Sequence, residues 1–112
     1  MKKIIAMFML MMFLIGCGIQ HRIIFNIPKI KTKDSKEIVE YVVHNIQFAV
    51  RHKIEVDYTT LYTYTYFEKD GQKHIEGKLI LVDCKGKDKK YSIRIQSLNN
   101  ISNYHVTLVE VL

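Results

Sequence analysis

The feature that most constrains the fold is a change of hydrophobic period at Lys53. Before it, residues 35–52 repeat apolar side chains about every 3.6 positions; after it, residues 54–67 alternate with a period of two. The first pattern is typical of an amphipathic helix and the second of a long strand with one apolar face. Because a helix and a sheet must bury these faces against each other, the sequence predicts an α+β domain.

The helix is predicted to run from about Ser35 to about His52. Asp34 is placed as its N-cap, and Glu37, three residues later, completes a capping box. Seven apolar side chains fall within about 140° of arc and form the predicted buried face. They are Ile38, Val39, Val42, Val43, Ile46, Ala49 and Val50.

A second stripe on this helix gives the first candidate site. Tyr41, Phe48 and His52, with Asn45 between the first two, follow helical spacing and cluster away from the main apolar face. Two interpretations are open: these side chains pack against the N-terminal segment or a sheet edge, or they form an exposed surface that binds a partner protein. On the second interpretation all three are partner-binding residues.

Turn signals divide residues 54–112 into four strands. Asp70-Gly71 and Asn99-Asn100 are expected to be two-residue hairpin loops, and residues 85–89 form the loop between them. The pairs predicted from these loops include Tyr66–Ile75, Tyr64–Gly77, Tyr62–Leu79, Leu79–Ile95, Leu81–Ile93 and Ile95–Tyr104. The helix therefore lies on a four- to five-stranded antiparallel meander sheet, in which residues 23–27 form a short first strand.

This register also assigns the faces of the sheet. The tyrosines of the first long strand are expected on the helix side, in the core, with a bulge or bend near residues 59–61. Leu61, Ile80 and Val82 are expected to cluster on the opposite face as an exposed apolar patch. They form the second candidate partner-binding set, unless the patch is too small to matter.

The first seventeen residues have the pattern of an export signal. Lys2 and Lys3 precede an unbroken apolar run, residues 4–15. Such a run reaches about 18 Å as a helix, short of the ~30 Å hydrocarbon core, so an export signal is favoured over a spanning helix. The segment Leu14-Ile15-Gly16-Cys17 follows and resembles the lipobox of bacterial lipoproteins.

The lipobox resemblance implies that the Cys17 thiol is acylated with diacylglycerol and that residues 1–16 are removed. Two acyl chains suffice for stable anchoring. The expected location is the cell membrane or outer membrane, facing the periplasm or the exterior. Residues 17–33 would then be a basic tether with the short first strand, and residues 34–112 the α+β domain. The alternatives are a secreted protein with an incidental cysteine and a buried N-terminal helix.

The order of a short strand, one helix and four antiparallel strands resembles the cystatin fold. Small lipoproteins with cystatin-like domains of unknown function occur in staphylococci and related bacteria. Cystatins inhibit papain-type proteases through a Gln-x-Val-x-Gly loop, where this chain has Glu68-Lys69-Asp70-Gly71-Gln72, and through a Pro-Trp loop, whereas this chain has no Trp. The resemblance therefore implies the fold and argues against the inhibitory activity.

No recognisable catalytic or metal-binding constellation occurs in the sequence. Its five histidines have no ligand spacing, and no phosphate loop or nucleophile motif is present. With Cys17 lipidated, Cys84 is a lone thiol without a disulfide partner. We predict no catalytic residue, no metal and no cofactor.

Nucleic acid is considered because the chain has a net charge of +6 and seven tyrosines. It is not predicted as a partner, because the strand tyrosines are expected in the core and the chain is expected to be exported. The predicted function is a lipid-anchored, non-catalytic binding module for an envelope protein or polymer. The alternatives are an accessory lipoprotein of a secretion, conjugation or phage-exclusion system, or a hydrolase inhibitor; the oligomeric state is open.

Overall fold

The computed structural model describes residues 22–111, so the predicted leader and Cys17 lie outside the described residues. One helix packs on a five-stranded antiparallel sheet, and the predicted α+β fold class is confirmed. The elements are β1 (Arg22–Pro28), α1 (Ser35–Val50), β2 (Glu55–Asp70), β3 (Lys73–Gly86), β4 (Lys89–Leu98) and β5 (Asn103–Val111).

The sheet has the strand order β1-β5-β4-β3-β2. The four long strands form the predicted meander, and β1 pairs antiparallel with β5 at its far side. Pro28, which lacks an N–H donor, ends β1, and this is tolerated because β1 is an edge strand. The other edge of the sheet is β2.

The predicted N-cap of α1 is confirmed, with a different partner for Glu37. The Asp34 carboxylate accepts the Lys36 N–H at 2.9 Å. Instead of reaching back to the cap, Glu37 accepts the hydroxyl of Thr32 at 2.6 Å, and that hydroxyl oxygen accepts the Asp34 N–H at 3.1 Å. The threonine therefore links the two ends of the capping box.

The helix ends two residues earlier than predicted. Arg51 adopts a left-handed conformation, with φ of 60°, and its N–H bonds to the Gln47 carbonyl as a C-cap. Of the two predicted core positions nearest this end, Ala49 is exposed, whereas Val50 is half-buried and packs against the core. The other five predicted side chains are buried, namely Ile38, Val39, Val42, Val43 and Ile46.

The turn between β3 and β4 corrects the predicted pairing of these strands. Gly86 pairs with Lys89, so the loop is Lys87-Asp88, with φ of 32° and 69°. This loop places Val82 opposite Ile93, the position predicted for Leu81. A one-residue difference exchanges the two faces of a strand. Hence β3 turns Ile80, Val82 and Cys84 toward the helix, each no more than 5% exposed.

The bulge in β2 occurs where it was predicted, but it also exchanges the faces of that strand. The register shifts between Asp57, opposite Asp83, and Tyr62, opposite Leu81. From Asp57 to Tyr62 the chain advances five residues in β2 but only two in β3, so β2 contains three extra residues. Because this number is odd, the side chains of β2 beyond the bulge point to the opposite face from the one expected without it. Tyr58 packs against the core as predicted. The tyrosines beyond the bulge, Tyr62, Tyr64 and Tyr66, lie on the face away from the helix. Their predicted core placement is wrong.

The pairings of β2 with β3 and of β4 with β5 each differ from the prediction by two residues. A shift of two residues does not change which side chains of paired strands share a face. The β2–β3 loop is Gly71-Gln72, with φ of 65° at Gly71, so Tyr66 lies opposite Gly77. The β4–β5 loop spans residues 99–102, so Ile95 lies opposite Val106. The inner faces of β4 and β5 are therefore as predicted.

Candidate functional site

The sheet face away from α1, termed the outer face, has no helix on it within residues 22–111. Pairing across the five strands arranges its side chains in two complete rows. The first row is Tyr62, Leu81, Arg94, Thr107 and Ile24. The second row is Tyr64, Leu79, Gln96, His105 and Asn26.

Three alternate tyrosines of β2, termed the tyrosine ladder, line one side of this face: Tyr62, Tyr64 and Tyr66. Neighbouring ring centroids are 5.6 and 6.4 Å apart, and the rings are tilted by 50° and 57° to one another. Tyr62 is 59% exposed and Tyr64 is 41% exposed. The ladder therefore presents aromatic surface to solvent while shielding the aliphatic side chains of β3.

Tyr66 is the fixed end of the ladder. Its ring covers Gly77, where an added Cβ would lie 2.5 Å from Cζ of the ring. Its hydroxyl oxygen accepts a hydrogen bond from Nε2 of Gln96 at 2.6 Å. The glycine thus admits the ring, as aromatic covering of a strand glycine requires, but the partner is Tyr66 and not Tyr64 as the predicted register had it.

A hollow of about 260 Å³ lies on the same face, and Gln96, whose amide binds the Tyr66 hydroxyl, is part of its lining. Its polar lining consists of three side-chain amides and one imidazole, and two aliphatic side chains complete the lining. Its residues are Asn26, Gln96, Leu98, Ile101, Asn103 and His105. The two rows and the hollow thus combine aromatic surface with neutral donors and acceptors, and Arg94 is the residue within the rows that carries a fixed charge.

The helix stripe predicted from the sequence does not form one surface. Tyr41 is half-buried, and its hydroxyl donates a hydrogen bond to the Pro28 carbonyl at 2.8 Å. Its ring packs edge-on against Tyr104, with the ring centroids 6.5 Å apart. For Tyr41, packing against the N-terminal segment is therefore the correct one of the two interpretations.

Phe48 and His52 lie together at the end of α1. Both line an open notch of about 370 Å³ with His44, Gln47 and Lys53. Phe48 is 74% exposed, whereas His52 is half-buried and stacks on Tyr91 at 6.1 Å. Of the predicted stripe, Phe48 is thus the side chain that is largely free to contact a partner.

The predicted patch of Leu61, Ile80 and Val82 does not exist as an exposed surface, and that prediction is wrong. Ile80 is 0% and Val82 1% exposed, because both lie beneath α1. Leu61 is half-buried and packs against the same core from the bulge of β2. None of the three presents an exposed side chain on the outer face.

The groups with shifted pKa values lie away from the tyrosine ladder. Burial, with a smaller effect of the Asp83 carboxylate, raises the pKa of the Cys84 thiol to about 12. Burial also raises the pKa of Tyr104, and it lowers that of Lys29, whose ammonium group donates to the Leu98 carbonyl. These shifts come chiefly from burial and not from ionisable groups that converge in a cleft.

Residues 22–111 contain neither a cluster suited to a metal ion nor a helix suited to span a membrane. No cluster of three or more His, Cys, Asp or Glu side chains suited to a metal ion is found among them. Nor does a helix in this part of the chain have the length and apolarity required to cross a membrane.

Comparison of the chain with protein-family models, curated proteins and solved structures gives no significant match. Its function must therefore be inferred from its own sequence and geometry. The tyrosine ladder is not among the candidate sites predicted from the sequence, because the predicted register places these tyrosines in the core. The bulge near residues 59–61 was the available signal, since an odd bulge inverts every later side chain.

Proposed function

We propose that this chain is a lipid-anchored protein of the bacterial cell envelope whose domain binds a partner through the outer face without catalysis. The anchor is supported by the charged start, apolar run and lipobox-like Leu14-Ile15-Gly16-Cys17. The binding role is supported above all by one observation: the tyrosine ladder exposes Tyr62 and Tyr64 on a sheet face that α1 does not cover.

The chemistry of the two rows and the hollow favours a partner that is polar and largely uncharged. Tyrosine combines a large apolar ring with a hydroxyl, and such residues are enriched where proteins bind one another. The neighbouring hollow adds amide groups of Asn26, Gln96 and Asn103. An envelope protein, or an envelope polymer rich in hydroxyl and amide groups, fits these features.

The same surface weighs against nucleic acid, although one reason given from the sequence is wrong. The strand tyrosines are not in the core, so burial does not prevent stacking. Single-strand binding also needs a basic groove along the aromatic platform. The residues next to the ladder on β3 are leucine and glycine, and those on β4 are Leu98, Gln96 and Arg94, so one basic side chain lies there in place of a basic groove. The exclusion thus depends on this charge pattern and on the proposed export.

An accessory lipoprotein of a secretion, conjugation or phage-exclusion system is a specific form of the same proposal. It requires the same anchor and the same binding surface, and the neighbouring genes distinguish it. The hydrolase inhibitor is the weaker alternative, since Glu68–Gln72 at the β2–β3 turn lacks the cystatin loop residues.

Photo-crosslinking in the producing cell tests the binding role. A benzophenone amino acid replaces Tyr64 in one strain and Glu40, an exposed helix residue, in a matched control. We expect an adduct of an envelope component from position 64 that is absent from position 40 and is lost on Tyr62→Ser. Equal labelling from the two positions, or labelling of a second copy alone, would contradict partner binding by the outer face.

A further inference from the structure

The free side of β2 has the properties of a strand that pairs. Within residues 22–111, β2 has β3 on one side and no strand on the other. Residues 58–67 contain no charge, proline or glycine. Natural edge strands are usually protected by lysine, proline or a bulge. Here the bulge between Asp57 and Tyr62 protects the first part of the edge, and residues 62–67 beyond it are left unprotected.

The hairpin geometry identifies the backbone groups on this free edge. Asp70 and Lys73 flank the two-residue loop and therefore form a hydrogen-bonded pair. Hydrogen-bonded and non-hydrogen-bonded pairs then alternate along β2. The N–H and C=O groups of Thr63, Thr65 and Phe67 consequently point away from β3 and remain available to another strand.

We propose that β2 pairs antiparallel with β2 of a second copy of this chain, about a two-fold axis at Tyr64. Each Tyr64 then lies opposite its equivalent, Tyr62 opposite Tyr66, and Thr63 opposite Thr65. All these pairs keep their side chains on matching faces, since the axis relates even positions to even and odd to odd. The contact is isologous and closed, so it stops at a dimer.

A second copy fits this edge because the strand is complementary to itself. Threonine meets threonine on one face and tyrosine meets tyrosine on the other, and both kinds of cross-strand pair are stabilising. The first charges beyond the paired segment, Glu68 and Lys69, come opposite Thr60 and Thr59 of the other copy, so no like charges meet. An unrelated strand would have to supply this pattern separately.

The dimer would join the two sheets into one continuous ten-stranded sheet. The two tyrosine ladders become neighbours at the seam, on the outer face of both copies. A single strand pair buries little area, which places the interface among the weak, transient ones. Confinement of both copies to one membrane surface would raise their effective concentration and favour the dimer.

Disulfide trapping tests the register. In a non-hydrogen-bonded antiparallel pair the two Cα atoms are about 4.5 Å apart, within the ~4.4–6.8 Å that a disulfide spans. The full chain with Cys17→Ser and Tyr64→Cys should therefore form a disulfide-linked dimer on mild oxidation. Phe67→Cys is the matched control, because Phe67 is 65% exposed on the same edge but its two copies lie about 20 Å apart.

Sedimentation in detergent tests the interface itself. The full chain should shift from monomer to dimer between about 1 µM and about 1 mM, the range expected for a weak interface. Thr65→Lys, which places a charge on the edge, should remain monomeric over that range, and Thr65→Val should dimerise like the parent.

Three results would overturn the dimer: a parent chain that stays monomeric, a dimer that Thr65→Lys leaves intact, or cross-linking of Phe67→Cys equal to that of Tyr64→Cys. The strand pairing itself does not depend on the proposed function; the added effect of membrane confinement does. Thr65 lies on the opposite face of β2 from the ladder, so a monomeric Thr65→Lys chain retains the outer face and can still be tested for partner binding.

Discussion

The ring of Tyr66 occupies the space where Gly77, on the neighbouring strand, would carry a side chain. An ideal Cβ on Gly77 would lie 2.5 to 2.9 Å from three atoms of that ring. The ring is held in this position by the hydrogen bond from Gln96. This contact attaches the tyrosine ladder to the centre of the sheet.

Gly77→Ala should therefore destabilise the domain by about 1–3 kcal/mol, because the new methyl group displaces the ring. The loss should be smaller in a Tyr66→Ala background, where the space is empty, so the two substitutions should not be additive. Urea unfolding of the four chains measures both quantities. Additive losses would show that the ring does not cover the glycine.

The assignment of the faces of β3 can be tested with adjacent residues. Ile80 is fully buried beneath α1, whereas Leu81 is half-buried on the outer face. Ile80→Ala should cost about 2–5 kcal/mol of unfolding free energy through the cavity that it leaves. Leu81→Ala should cost about 1–2 kcal/mol, because less apolar surface is lost. A larger loss at Leu81 would favour the register first predicted from the sequence.

Periodicity predicted the elements that have one clearly apolar face. The helix face around Val39 and Val42, and the inner faces of β4 and β5, were predictable because their opposite faces are polar or exposed. In β3 the residues Leu79 to Val82 are all apolar, so the sequence itself does not say which pair faces the helix.

The register of β3 therefore depended on the length of the next turn. Lys87-Asp88 is a two-residue turn with positive φ at both positions and without the Asn-Gly or Asp-Gly sequence that usually marks one. The tyrosine ladder was misplaced for a related reason. The position of the β2 bulge was predicted, but its size was not. The bulge contains three extra residues, and because this number is odd, it moves the later tyrosines to the other face of the sheet.

The N-cap of α1 offers a separate test of local stability. The Asp34 side chain accepts the Lys36 N–H at 2.9 Å. Asp34→Ala should lower the unfolding free energy by about 1 kcal/mol, whereas Asp34→Asn, which retains the acceptor, should have little effect. Thermal unfolding followed by circular dichroism measures the difference, and equal stabilities of the alanine and asparagine variants would refute the cap.

Burial of Cys84 makes the stability of the domain depend on pH in the alkaline range. The thiol has a pKa of about 12 in the folded chain, against an ordinary value of 9.0. Above about pH 9 the unfolded chain loses this proton while the folded chain keeps it, so stability is complete below pH 9 and falls toward pH 12.

Cys84→Ala should therefore lose stability less steeply than the parent between pH 9 and 11, in a background with Cys17→Ser. Urea unfolding at several pH values in this range gives the two slopes. All other ionisable groups are common to both chains, so parallel slopes would show that the thiol is not buried.

The most direct test of the proposed envelope lipoprotein is the chemical state of Cys17 in the producing cell. Mass spectrometry of the chain recovered from the membrane fraction should find Cys17 as the N-terminal residue, with acyl groups attached. The Cys17→Ser variant should accumulate as a precursor that retains residues 1–16 and carries no acyl group. A parent chain that retains residues 1–16, or that carries no acyl group at Cys17, would contradict the anchor and with it the proposed location.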